Sequence, residues 1–447
     1  MSLIKKALFG TQKAMSVNNH IDFRRLVQND PVVFYNYDRN DFLTKGYKSN
    51  AEVYKIVRKI VDKASIADLY LYIETDNKYT KFKKHRYSSN PIDHVKKNLY
   101  VAKALEYADE NSDLAKLIVN PNDTQTWLDL SELRRIYYFT QGECFMVRET
   151  EIGSDIATSL HVLPANRVQH MYNHIDNKIE GWVVDWGKGL KQTFKGDDLK
   201  DVFHMKMANP LFDEYGEHLR GMSPLMAGLK YLQLDDVSIE AWVKSMENEG
   251  AKGIVSPNHA DPKLWLNKDQ VETTEKALDK KIHGFQNRNK IAVSGMPLQY
   301  QQIGMSPDAL NIIEGMREAQ INLCDLWGLP PELFATDNTH DNQREASARF
   351  LTEVILPFLD KEEDALNKWL VEPFRERDGK NYVLDYDTSM YEELKPTFEQ
   401  IEAMARYSTT DEMRILFGYD AYDITTTNPA EMIFIEGGKV PINDFGI

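Results

Sequence analysis

The four residues Gly-Met-Ser-Pro occur twice in this chain, at Gly221–Pro224 and again at Gly304–Pro307. Each copy reads as a helix start. The serine, Ser223 or Ser306, can accept a hydrogen bond from a free first-turn amide, and the proline, Pro224 or Pro307, takes the first helical position, where a missing N–H costs nothing. After the first start, Leu225, Leu229, Leu232, Ile239, Val243 and Met246 keep the three-and-four spacing of one helix face as far as Glu249-Gly250, with Asp236 in the skipped place. Such a helix would be about 39 Å long. After the second start, Ile312, Met316, Ala319, Leu323 and Leu326 form an apolar stripe and Asn311, Glu314, Glu318, Asn322 and Asp325 a polar one, until Gly328 ends the pattern.

Two long helices that begin alike and enclose residues 251–303 must leave the body of the protein and return to it. The enclosed segment reads as a small α/β tip: strands at Lys252–Val255, Lys290–Ser294 and Leu298–Ile303 around a helical Asn267–His283. It holds eight Lys and Arg against five Asp and Glu, so it is basic in a chain whose net charge is −15. A stalk with a tip is hard to bury within one chain. Neighbouring copies in a ring would cover its apolar faces better.

The first 220 residues read as a mixed α/β platform. Helical periodicity in Ala51–Ala64 and Ser131–Thr140 alternates with strand-like Asp68–Glu74, Cys144–Arg148, Leu160–Leu163 and Gly181–Val184. A polar segment, Leu329–Asn342, opens a third long helix from about Gln343 to Leu370, with Phe350, Val354, Phe358, Leu366 and Trp369 on its buried side. Pro357 lies in its middle, removing one backbone bond and crowding the carbonyl of Glu353, so a kink is expected there. The chain then reads as a strand, Tyr382–Tyr386, a helix from about Pro396 to Ser408, a short helix from Asp411 to Phe417, and an irregular tail. The fold class expected is α+β.

Composition narrows the function. Lys plus Arg is 54 against 69 Asp plus Glu, the wrong sign for gripping nucleic acid with the whole surface. No run approaches the roughly 18–20 apolar residues that span a bilayer, and Met1–Gly10 has Lys5 and Lys6 without a sustained apolar run, so no membrane span or secretory leader is expected. Cys144 and Cys324 are 180 positions apart, which implies neither a disulfide framework nor a zinc site and suits a reducing cytoplasm. There is no HExxH, GxSxG or GxGxxG, and no phosphate loop, so no cofactor is expected and any motive force must come from outside the chain. Asp337, His340 and Asp341 are the nearest approach to a metal cluster. They support a rival reading as a metal-dependent nuclease or hydrolase, but a polar loop accounts for the same residues. The acidic runs Asp197-Asp198, Asp235-Asp236 and Glu362-Glu363-Asp364 read as solvated surface.

An ordered set of residues carries a family resemblance. It runs through Met1–Gly10, Asn120-Pro121-Asn122 with Thr126-Trp127, Val202-Phe203-His204, Gly221-Met222-Ser223-Pro224-Leu225 and Glu247-Asn248-Glu249-Gly250-Ala251. It continues through Gly304–Pro307, Arg317, Ile321–Cys324, Trp327-Gly328-Leu329-Pro330-Pro331, Glu332-Leu333, Asn342, Glu345, Phe350 and Leu356-Pro357. In this order the chain resembles portal proteins, the head-to-tail connectors of tailed double-stranded DNA bacteriophages. The resemblance implies a structural protein rather than an enzyme. It implies a ring, usually of twelve copies, at one capsid vertex, assembled in the host cytoplasm and threaded by double-stranded DNA. It also implies an N-terminal wing (1–222), stem helices (223–250 and 304–328) and a clip (251–303), with a tunnel loop (329–342), a kinked helix completing the wing (343–395) and a crown (396–447). Only 52 residues follow Lys395, so a small crown is expected. Implied partners are the large terminase, the head-completion adaptor, and the major capsid protein with its scaffold.

The residues agree with a conduit. Thr336, Asp337, Asn338, Thr339, His340, Asp341 and Asn342 include no Lys or Arg, so such a loop can touch a duplex without the counterion release that would hold it still. Glu314, Glu318 and Asp325 would extend the acidic lining along the stem. Lys280, Lys281, Arg288 and Lys290 make the tip a candidate docking surface for acidic partners.

Overall fold

The computed structural model describes residues 39–74, 105–151, 154–212, 215–247, 253–257, 298–302, 312–334, 340–395, 432–435 and 438–441, with scattered helical positions in 269–276 and 399–414. After a short helical stretch at Arg39–Asp41 and Phe42–Lys48 comes α1 (Ala51–Ala64), capped by Asn50, whose side chain accepts from the Val53 amide. Its stripe Val53, Ile56, Val57, Ile60, Val61 and Ala64 is wholly buried and seeds the main core. β1 (Leu69–Glu74), β2 (Leu105–Tyr107) and α2 (Asp113–Val119) follow. α3 (Trp127–Gln141) begins with a reciprocal Thr126–Asp129 capping box and stops at Gly142, which adopts φ 77°.

Six antiparallel strands complete the platform: β3 (Glu143–Thr150), β4 (Ala157–Leu163), β5 (Val168–Asn173), β6 (Lys178–Gly187), β7 (Leu190–Lys195) and β8 (Val202–Lys206). They form two sheets, ordered β4-β3-β8 and β5-β6-β7. Between them lies a second, smaller core of Phe145, Leu163, Val168, Trp182, Val184, Phe194 and Val202.

Helix α4 spans Leu229–Glu247, β9 (Gly253–Pro257) pairs antiparallel with β10 (Leu298–Gln302), and α5 (Ile312–Asp325) returns against α4. The expected first stem helix is thus divided. Pro224–Ala227 makes one turn ending at Gly228, and α4 starts afresh at Leu229. Leu326 of the returning segment packs closely here, since a Cβ on Gly228 would sit 2.1 Å from its Cδ1. Ser306, Pro307 and the strand expected at Lys290–Ser294 lie outside the described residues.

The third long helix is helical throughout from His340 to Asp378, longer at both ends than the sequence predicts. It consists of α6 (His340–Phe350), a π turn (Leu351–Ile355), α7 (Leu356–Leu366), a second π turn (Asn367–Val371) and α8 (Glu372–Asp378). Each π turn ends two residues before a proline, Pro357 or Pro373, so the widened turn lets the rod run through a residue that would otherwise stop it. Pro373 cannot donate to the Trp369 carbonyl. Arg148 Nη1 donates to it instead at 3.1 Å, while Arg148 Nε bonds Asp201 at 2.9 Å. β11 (Tyr382–Tyr386) falls where the sequence placed it and completes the sheet β11-β1-β2. The tail is not wholly irregular: β12 (Met432–Ile435) and β13 (Gly438–Pro441) pair antiparallel.

The acidic runs need correcting. Asp197 and Asp198 are exposed, but Glu362 and Glu363 are buried, as is Asp235. Helical geometry sets Glu362 on the inner face of α7, where two neighbouring arginines of α3 meet it. Arg134 Nη2 donates at 2.5 Å and Arg135 Nη2 at 2.8 Å, and Tyr386 OH donates at 2.7 Å from β11. Burial would raise this carboxyl, but Arg134 and Arg135 outweigh it and hold its pKa at about 2. The stability it contributes is therefore complete above the ordinary carboxylate range and is lost as pH falls toward 2. Replacing Glu362 with Gln, which leaves two buried guanidinium groups short of a counter-charge, should cost about 3–5 kcal/mol in chemical denaturation. The same variant should show a flatter acid limb than the parent.

Candidate functional site: the stem and its root

The stem leaves the wing where β3 begins, and one carboxylate organises the departure. Glu143 is fully buried. Its oxygens accept from Arg220 Nη2 (2.6 Å) and Nε (2.9 Å), from Arg39 Nη1 (2.5 Å), from His204 Nε2 on β8 (2.9 Å) and from the Gly221 amide (2.9 Å). Burial alone would raise its pKa, but Arg220 and Arg39 hold it well below the usual carboxylate range. Burial lowers the pKa of His204, with Glu143 opposing. The Arg220 guanidinium lies over Phe145 and Trp182, 5.6 and 5.5 Å from their ring centres, so the charge is packed as well as paired.

The repeated motif gains a physical reading here. A Cβ on Gly221 would meet the Gly142 carbonyl oxygen at 2.1 Å, and one on Gly142 would meet the Met222 carbonyl oxygen at 2.1 Å, so two backbones touch where both residues are glycine. Ser223 Oγ donates to the Thr140 carbonyl at 2.5 Å and accepts from the Leu225 amide at 3.2 Å, and Pro224 opens the turn. Ser223 and Pro224 thus cap as expected, and Ser223 also ties the stem to α3. At the other end of the stem Trp327 Nε1 donates to the Phe139 carbonyl at 3.0 Å, and Gly328 adopts φ 66°.

α4 and α5 divide their surfaces by chemistry. On α5, Ala319, Leu323 and Cys324 are buried and Met316 and Leu326 half-buried, as the apolar stripe predicts, while Glu314, Glu318 and Asp325 are exposed. On α4 the inward face is unexpectedly polar: Gln233, Asp235 and Ser238 are buried beside Leu232. Its outward face is apolar, with Tyr231, Leu234, Val237 (57% exposed), Trp242 and Val243 on the surface. Val243, placed by its spacing on the apolar face of this helix, is exposed in the single chain.

Thr336, Asp337, Asn338 and Thr339 of the tunnel loop, and Lys280, Lys281, Arg288 and Lys290 of the clip, lie outside the described residues. His340, Asp341 and Asn342 open α6 instead of ending a loop, and Asp341 and Asn342 are exposed. Pro357 sits in the rod as described above. Sequence reasoning missed Glu143 and Arg220. The one available signal was an acidic residue set between the helix-ending Gly142 and the apolar run Cys144–Val147, a place where a strand interior is expected.

Comparison with known proteins gives this architecture a family. The model of the phage portal protein family matches residues 89–418, and the chain belongs to that family. An uncharacterized protein of Rickettsia felis is 27% identical over 267 residues, covering 58% of this chain and 66% of its own length. One from Rickettsia bellii is 26% identical over 222 residues, covering 49% and 56%. The chain thus spans between half and two thirds of these relatives. Among solved structures, a chain of the virion of a native gene transfer agent particle superposes with TM-score 0.59 at 20% identity, covering 87% of this chain and 96% of that one. A chain from the neck of a native gene transfer agent particle computed with C12 symmetry gives 0.56 at 20%, covering 86% and 95%. These likenesses extend to the fold.

The two glycine contacts predict opposite outcomes. Gly221→Ala forces a backbone apart and should lower the melting temperature by several degrees or prevent folding. Gly315→Ala, whose Cβ would lie 3.5 Å from Ser238 Oγ in ordinary contact, should stabilise α5 by about 0.5–1 kcal/mol. Thermal melts of both variants check this.

Proposed function

We propose that this chain forms the portal ring of a phage-like particle, a conduit for double-stranded DNA with docking sites for packaging and head-completion proteins. The observation that carries the reading is the outward apolar face of α4, Tyr231, Leu234, Val237 and Trp242, on a stem that also exposes an acidic stripe on α5. A head-to-tail ring needs two unlike lateral faces on each copy and a third face toward the centre. The apolar face of α4 then meets the next copy, and Glu314, Glu318 and Asp325 line the lumen, where carboxylates centre a polyanion by repulsion. The twelvefold symmetry used for the related neck particle supports a count of twelve for this chain.

On this reading the tunnel loop, Thr336 to Asn342, touches the duplex without gripping it. The basic clip, with Lys280, Lys281, Arg288 and Lys290, docks acidic surfaces of the large terminase and later of the head-completion adaptor. The wing meets major capsid protein and scaffold at one capsid vertex, with assembly in the host cytoplasm. No helix among the described residues is long and apolar enough to cross a membrane, and none is needed for this role.

Native mass spectrometry with electron-microscope class averages tests the ring. Twelve copies of the 51.7 kDa chain should weigh about 620 kDa around an open centre. Val237→Glu together with Trp242→Glu should leave a folded, smaller species. A parent chain that stays monomeric or dimeric when concentrated overturns the reading. Separately, Asp337→Lys with Asp341→Lys should slow DNA passage in a packaging assay while the ring still forms, and unchanged packaging would refute the loop's role.

A further inference from the structure

The first turn of α1 meets both stem helices. Asn50, its cap, uses Oδ1 to accept from the Val53 amide at 2.9 Å. Its Nδ2 donates to two consecutive carboxylates of α4, Asp235 Oδ2 at 2.7 Å and Asp236 Oδ1 at 3.1 Å. Two residues on, Glu52 Oε2 accepts from Gln320 Nε2 of α5 at 2.7 Å. Wing and stem are thus fastened here by side-chain hydrogen bonds between polar groups, with Asp235 buried and Asp236 half-buried.

Adjacent side chains on a helix usually diverge. Here one amide gathers both, so two like charges share a site that is largely closed to water. The charged groups that act on them are Glu52 and Lys55 on α1 and Glu240 on α4. Lys55 is the cation among these, and it is largely exposed and paired with Glu52 at 2.7 Å. Burial raises both aspartates above the ordinary carboxylate range. Glu52 and Asp236 push Asp235 further, and Glu240 pushes Asp236, while Asn50 opposes in both cases. The amino end of α1, with its partial positive charge, supplies the remaining attraction.

We propose that the Asn50–Asp235–Asp236 contact is a proton-operated joint between wing and stem, tight when one carboxyl is protonated and loosened by mutual repulsion when both are ionised. It acts within one chain and holds whether or not the ring reading is correct. The sign follows from the direction of the shifts. A carboxyl whose pKa is raised by folding stabilises the folded contact below the ordinary value, and that stabilisation is lost as pH rises through the raised one.

Hydrogen exchange of the full chain between pH 4 and 8, corrected for intrinsic rates, tests the joint. The reporting peptides cover 50–56 and 229–240, with 130–138 of α3 as an internal reference, since its partner Glu362 stays ionised across this range. Protection of the reporting peptides should be lost progressively as pH rises through the raised carboxyl pKa values, while the reference stays level. Asp235→Asn should keep them protected throughout and remove the slope, and Asn50→Ala should lose protection at every pH. If Asp235→Asn does not fold, Asp236→Asn, at the half-buried member, should give the same flattening. A level profile in the parent, or an unchanged slope in the aspartate variant that folds, overturns the joint.

Discussion

The stem of this portal chain depends on a single buried charge. Glu143 sits at the start of β3 with no access to water, and an ionised carboxylate in that position costs several kcal/mol unless each oxygen is matched. Its donors come from the start of the described chain (Arg39), from β8 (His204) and from the stem root (Arg220 and the Gly221 amide). Satisfying one carboxylate therefore sets three segments at once. The backbone contact between Gly142 and Gly221 leaves little freedom in the direction the stem takes from there.

The same solution recurs elsewhere. Glu362 gathers Arg134, Arg135 and Tyr386 and so joins α3, α7 and β11, and Asn50 gathers Asp235 and Asp236 and so joins α1 to α4. Directional bonds of this kind hold elements at fixed angles using little apolar area. That leaves apolar side chains of α4 free to face outward. The rod follows a related logic, since the Trp369 carbonyl that Pro373 cannot serve becomes the attachment point for Arg148.

Much of the framework was legible in the sequence because local rules govern it. Ser223-Pro224 caps a turn as read, Gly328 terminates α5, Ala51–Ala64 is a helix with the expected buried stripe, and Tyr382–Tyr386 is a strand to the residue. The site was legible only in part. The exposure of Glu314, Glu318 and Asp325 follows from periodicity, but the polar inward face of α4 does not, because Asn50 lies 185 positions from Asp235 and nothing local announces the pairing. The acidic runs were misread for the same reason: composition cannot show that Glu362 is opposite two arginines 228 and 227 positions away.

By itself the sequence determined the order of the described elements, the helix start at Ser223-Pro224, the acidic balance with a basic tip, and a motif order specific enough to indicate the family. These properties depend on neighbours within a turn or two, or on composition. The tertiary structure decided which charges are buried, where the first stem helix breaks and how far the rod extends past its prolines. It also decided which face of the stem is left apolar. Several of these are set by groups far apart in sequence, as when Arg134 and Arg135 meet Glu362 or Arg148 bonds the Trp369 carbonyl, so only the folded chain brings the deciding atoms together.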